Sequence, residues 1–234
     1  MRALSLKYAK ATTTVLAIIA LVILLLPFHA FLSVWLSSNF GHYTAFRLWK
    51  EALVFIAGLI VIWWLATDKN VRQGVLKSKL VWLILAYVVL DLILALVAKQ
   101  KKEVSSKALA YGLLDDLRFL AMFIICWSAA IKSKYLNRYW QQLILWPAVI
   151  VVLFGLLQMS VLPNDVLVHF GYGPKTIMPF ETINNNSNYV RILSTLRGAD
   201  PLGAYLILPI SALGVMLYKF KGRRIDWLAL ALLI

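Results

Sequence analysis

Two arginines, Arg191 and Arg197, stand just ahead of Gly198, Asp200 and Pro201 in this 234-residue sequence. Asp200 and Pro201 read as the N-cap and the first position of a helix. Free backbone N–H groups at a helix start attract anions, and two guanidinium groups beside them would complete a site for phosphate. The same spacing also suits arginines that anchor among lipid headgroups with their stems along apolar surface.

A second set of charges lies inside apolar stretches. Asp91 and Arg118 fall at similar distances from the ends of two consecutive hydrophobic runs, which places both roughly 8 to 9 Å deep in a membrane. An unpaired charge at mid-membrane costs about 2.5 to 3.5 kcal/mol on insertion scales, so a structural ion pair between Asp91 and Arg118 is expected, with a substrate contact as the other use of Arg118. Asp115, three residues earlier on one helix face, competes for the same arginine. Arg47, Lys50 and Glu51 open the preceding run on the same side, where they either extend a basic cavity or mark the interface.

Other reactive types carry less. His29, His42 and His169 are too scattered for a ligand set, and Cys126 lies alone inside an apolar run, so no metal or cofactor is expected. His169 has no visible nucleophile or carboxylate partner. Asn185, Asn186 and Ser187 form a glycosylation sequon within an Asn-rich tract, a coincidence of composition. No phosphate-cradling glycine motif, hydrolase elbow or internal repeat is present.

The elements that must position these residues are membrane helices. Hydrophobic residues make up 62% of the chain and charged ones 15%, with a mean hydropathy of +0.81, more apolar material than one soluble core of this size holds. The expected fold class is all-α, a polytopic transmembrane helical bundle over 1–234. Complete spans are expected near 14–36, 52–66, 80–97, 113–131, 143–159 and 202–218, and a seventh starts at 227. Pro27 is expected to kink the first. The chain ends inside that seventh run, so it reads as the front part of a longer protein. The interval 160–200, rich in aromatic and turn residues, is expected to be an ordered surface loop.

Net charge is +14, yet the basic residues sit in short clusters between apolar runs, so topology and not nucleic acid explains them. With the N-terminus inside, fourteen of the 24 Lys and Arg residues fall on inner segments. The exception is one outer cluster, Lys99, Lys101, Lys102 and Lys107. This orientation puts 160–200 on the extracytoplasmic side. Trp35, Trp49, Trp82, Trp140 and Trp227 lie near run ends, as an interfacial aromatic belt requires.

The stretch from Arg191 through Ser194, Thr195, Arg197, Gly198, Ala199, Asp200, Pro201, Leu202, Gly203, Ala204 and Tyr205 to Leu206 resembles the O-antigen ligase and polymerase family of bacterial envelopes. Support comes from Phe170-Gly171-Tyr172-Gly173-Pro174 and Leu48-Trp49-Lys50-Glu51. About 16 residues match well and the remainder of the chain loosely. Asp200 stands where that family leads one to expect asparagine. The resemblance implies a glycosyl transferase in the inner (cytoplasmic) membrane, part of cell-envelope polysaccharide biosynthesis. It would move a glycan from a polyprenyl pyrophosphate carrier to a glycan or lipid acceptor on the outer face, among membrane lipids. It also implies that Arg191 and Arg197 contact pyrophosphate. It implies a catalytic histidine on a large outer loop in a second half, without which the chain alone is inactive. A transporter or flippase of an anionic lipid or solute, using Asp91 and Arg118, and a non-catalytic membrane scaffold subunit are the rival readings.

Overall fold

The computed structural model of the chain describes residues 2–101, 104–184 and 186–220. The apolar run from 227 and Asn185 of the sequon lie outside these described residues. The architecture is all-α and polytopic, with one small hairpin. The helices are α1 (Arg2–Leu25), α2 (His29–Phe40), α3 (Tyr43–Arg47), α4 (Trp49–Thr67), α5 (Lys69–Leu76), α6 (Lys79–Gln100), α7 (Ser106–Lys132), α8 (Tyr135–Ser160) and α9 (Ala199–Phe220). Between α8 and α9 come a 3-10 turn, Val166–Phe170, and the strands β1 (Glu181–Ile183) and β2 (Asn186–Arg191).

Among the described residues, five stretches are long and apolar enough to cross a membrane: Tyr8–Phe40, Trp49–Thr67, Lys79–Gln100, Tyr135–Ser160 and Ala199–Tyr218. The run expected near 113–131 is the helix α7, but Asp115, Asp116 and Arg118 in its first half keep it out of that set. Pro27 does interrupt the first stretch. It sits in a 3-10 turn, Leu26–Phe28, between α1 and α2, because proline brings no backbone N–H to an α-helical ladder. The polar tract after α4 is itself a helix, α5. Asp68 caps it by accepting from the N–H groups of Asn70 and Val71, at 2.9 and 3.3 Å, and Val71 and Val75, one turn apart, are buried beneath it.

The chain divides into two compact units, Met1–Ile19 with Lys50–Arg138, and Ala20–Trp49 with Tyr139–Ile234. In the first, α7 is tied at two levels, to the start of α4 and to the α4–α5 junction. Arg118 Nη1 lies 3.1 Å from Glu51 Oε1, and Lys132 Nζ lies 2.5 Å from Asp68 Oδ2. Glu51 and Asp68 are separated by roughly 25 Å of helix, Arg118 and Lys132 by roughly 21 Å. Matched spacings in the same chain order set α4 and α7 running in the same direction. The Lys132 ammonium also lies over the rings of Tyr8 (4.9 Å) and Trp64 (5.2 Å), and Trp64 is fully buried. Where α5 meets α7, Gly74 leaves room for Ile131, whose Cδ1 would stand 2.8 Å from any Cβ there.

The second unit has two apolar centres. Val34, Leu167, Tyr172 and Leu193 are buried together, with Phe31, Phe154, Phe170 and Phe180 packed around them. This centre seats the 160–200 segment on α2. Gly171, at φ +89°, passes so close to Ser38 that a side chain would collide with it, so only glycine suits this crossing. The other centre joins α8 to α9 through Ala148, Leu213, Val152 and Leu206.

The Lys132 hydrogen bond holds the Asp68 carboxyl below its usual range, against burial that pushes it up. A depressed carboxyl stabilises the fold above its unfolded value, near pH 4, and that contribution is lost as pH falls through the folded value. Lys132→Met and Asp68→Asn should therefore each lower stability by about 1–3 kcal/mol at pH 7. In thermal unfolding of the detergent-solubilised chain, the double variant should cost less than the sum of the two, and the deficit of Lys132→Met should shrink below about pH 4.

Candidate functional site

The segment carrying Arg191 and Arg197 is fixed from beneath by buried hydrogen bonds. Ser194 donates its N–H to Gln158 Oε1 at 2.8 Å and its hydroxyl to the Val151 carbonyl at 2.6 Å, both on α8. Thr195 donates its hydroxyl to the Pro27 carbonyl at 3.0 Å. Leu193, Ser194 and Thr195 are all buried. Ser194 holds φ +50°, a left-handed conformation that costs a non-glycine residue energy and persists because these bonds over-determine it.

The hairpin supplies the opposite wall. β1 and β2 are antiparallel with Glu181 opposite Arg191 and Thr182 opposite Val190, and the register slips between Thr182 and Ile183. Glu181 reaches the start of α9, where its Oε2 accepts the N–H of Ala199 at 3.2 Å. Gly198 makes this approach feasible, since a Cβ there would stand 2.7 Å from Glu181 Oε1. The Gly198 carbonyl accepts from Leu202 N–H at 3.1 Å, so Gly198 occupies the N-cap position expected of Asp200. Asp200 lies in the first turn and binds Arg191 instead, with Nη2 to Oδ1 at 2.5 Å.

Arg191, Arg197, Glu181 and Asp200 thus surround one cleft of about 600 Å³, to which Thr176 and Thr182 add hydroxyls. Arg197 is exposed, and among the described residues no carboxylate pairs with it. The cleft holds two guanidinium and two carboxylate groups, so its own acids occupy the positions an anion would take. Glu181 covers an N–H of the helix start, and Asp200 covers Arg191.

The remaining expected residues go elsewhere. Arg118 does not pair with Asp91. Its Nη2 lies 2.9 Å from Asp115 Oδ1 and its Nη1 meets Glu51, because Asp115 is one turn away and Glu51 faces it from α4. Lys50 joins the same group, 3.3 Å from Glu51 Oε1. Asp91 keeps a buried Oδ2 without a hydrogen-bond partner among the described residues and lines a cavity of about 290 Å³ with Asp116 and Gly112. The ion pair on which a transport reading rested is therefore not formed. Arg47 closes the short α3 and does not line the cleft. His169 is exposed and its Nδ1 lies 3.2 Å from the Val166 carbonyl, within its own turn.

Glu181, Gln158, Ser194 and Thr195 were not singled out from sequence. Ser194 and Thr195 stand between the two arginines, which was the available signal, whereas Glu181 and Gln158 reach the site only through folding. No protein-family model matches this chain, and no curated protein or solved structure matches it.

Ser194→Ala leaves a left-handed backbone and an unpaired Val151 carbonyl lone pair, and Thr195→Val unpairs nothing but the Pro27 carbonyl. Each should cost about 1–2 kcal/mol. Both should speed limited proteolysis within 160–200 while the remaining chain stays intact; equal cleavage rates in variant and parent would show that these bonds do not hold the segment.

Proposed function

We propose that this chain belongs to a membrane glycosyl transferase of the O-antigen ligase or polymerase type, and that its arginine cleft holds the diphosphate of a polyprenyl-linked glycan. The observation that carries the reading is that Arg191 and Arg197 line one cleft of about 600 Å³ at the start of α9, an apolar helix long enough to cross a membrane. Paired guanidinium groups match the planar, bidentate geometry of phosphate oxygens. A diphosphate entering the cleft takes Arg191 over from Asp200, a solvent-exposed partner that releases it at little cost. The start of a membrane helix leaves the prenyl tail beside lipid.

In the reaction an acceptor hydroxyl attacks the anomeric carbon, the bond from that carbon to the diphosphate oxygen breaks, the lipid diphosphate leaves with the electron pair, and the hydroxyl's proton passes to that departing diphosphate. Charge grows on the leaving oxygens, and donors already in place stabilise it without reorganisation. That is the task of Arg191 and Arg197. The donor is a polyprenyl pyrophosphate-linked glycan and the acceptor a glycan or lipid.

The reading places the protein in a bacterial inner membrane with a cytoplasmic N-terminus and an extracytoplasmic 160–200 segment, which requires α7 to cross. Its 27 residues span about 40 Å. The Glu51 and Asp115 carboxylates that meet Arg118 offset the cost of its charge, and the parallel alignment with the apolar α4 supports a crossing at the same depth.

In the intact protein, Arg191→Ala or Arg197→Ala should lower glycan transfer by about 100-fold or more while membrane insertion stays normal. Unchanged transfer in both variants rejects the diphosphate role. Cysteines placed at 191 and 197 should react with membrane-impermeant reagents from the outer side; labelling from the cytoplasm alone overturns the orientation.

A further inference from the structure

Arg191 and Phe180 have two sides. One faces the arginine cleft, and the other walls a second cavity of about 230 Å³, lined also by Gln158, Asn164, Met159 and Ile192. Resting on the assignment of the first cleft to a diphosphate, we infer that this second cavity binds the sugar ring attached to that diphosphate.

Its chemistry differs from the cleft's. Arg191, shared with the cleft, is the one charged residue in its lining, and the rest is neutral: two amide side chains, an aromatic ring, a thioether and aliphatic groups. A second phosphate would find no further cation there. A polyhydroxylated ring finds both things it needs, an apolar and aromatic face for its C–H groups and amides for its hydroxyls. The size agrees, because pockets for whole ligands run about 300–1,000 Å³, and this one takes a single ring.

Gln158 is already oriented for the task. Its Oε1 is engaged by the Ser194 N–H, which fixes which end of the amide is which and turns both N–H donors away from that bond. The same residue therefore locks the arginine-bearing segment and offers donors to the cavity. A sugar bound there has its anomeric carbon beside Arg191, since the diphosphate is attached directly to that carbon. Hydroxyls on the ring select for sugar because an analogue lacking them leaves the amide groups unpaired. Gln158 and Asn164 are specificity-determining residues in this account, and Arg191 and Arg197 are not.

The test measures binding of farnesyl diphosphate and of glucosyl diphosphofarnesol to the chain in phospholipid nanodiscs. The unaltered chain should bind the glucosyl compound about tenfold more tightly than the bare diphosphate. Gln158→Glu keeps an acceptor for Ser194 and removes the N–H donors; Asn164→Leu removes the other amide. Each should bring the ratio of the two affinities toward one. The ratio is the readout because the new charge in Gln158→Glu weakens both compounds alike. Arg197→Ala should weaken both equally and leave the ratio intact. If Arg197→Ala weakens both while the ratio persists in Gln158→Glu and Asn164→Leu, or if the unaltered chain shows no preference, the sugar site is wrong and the diphosphate cleft stands. If Arg197→Ala weakens neither, the diphosphate cleft is wrong and the sugar site, which rests on it, falls too.

Discussion

A guanidinium group within an apolar helix must find a carboxylate, because desolvation otherwise costs several kcal/mol. Arg118 meets that demand with Glu51 across the helix interface and Asp115 along its own helix, and Lys132 meets it with Asp68 near the other end. The two contacts do more than cancel charge. Their order along the two helices sets α7 running in the same direction as α4, and in the proposed orientation it crosses the membrane beside that companion although it is too polar to qualify as a span on composition. In the proposed orientation, the side of the membrane reached by every later segment, the arginine cleft included, follows from that crossing.

The cleft in turn depends on rigidity more than on charge. Two arginines on a free loop would scatter across rotamers, and ordering them on binding would consume much of the interaction energy. Here the backbone between them is already ordered. Leu193 is sunk in the apolar centre, Ser194 is bonded twice to α8, and Thr195 reaches the turn between α1 and α2. The carboxylates of Glu181 and Asp200 complete the arrangement, one accepting the Ala199 N–H at the helix start and the other pairing with Arg191.

The membrane character and the positions of the apolar helices were legible in the sequence because a bilayer imposes one length and one polarity on each run. The Pro27 interruption and the ordered 160–200 segment were legible for similarly local reasons, a missing N–H and a concentration of turn and aromatic residues. Pairings were not. Matching Asp91 to Arg118 by depth alone ignored rotation about the helix axis, and depth matched Glu51 as well; the rotation that chose Glu51 is set by packing. In the tract 67–79 charges outnumber apolar residues, yet two valines at helical spacing and one capping aspartate suffice to make it helical. Both arginines of the cleft were visible, whereas Glu181, eighteen positions before the helix start it touches, is brought there by a hairpin with an irregular register.

The turn at Pro27, which interrupts the first membrane stretch, is tied to the arginine-bearing segment through a single hydroxyl from Thr195. A first hydrophobic segment is commonly regarded as an interchangeable anchor, any greasy stretch of adequate length serving equally. In this molecule it is a ruler: the point at which it breaks sets how deeply the arginine-bearing segment is seated. Swapping it for a generic span would keep the protein in its membrane and leave that segment without its gauge.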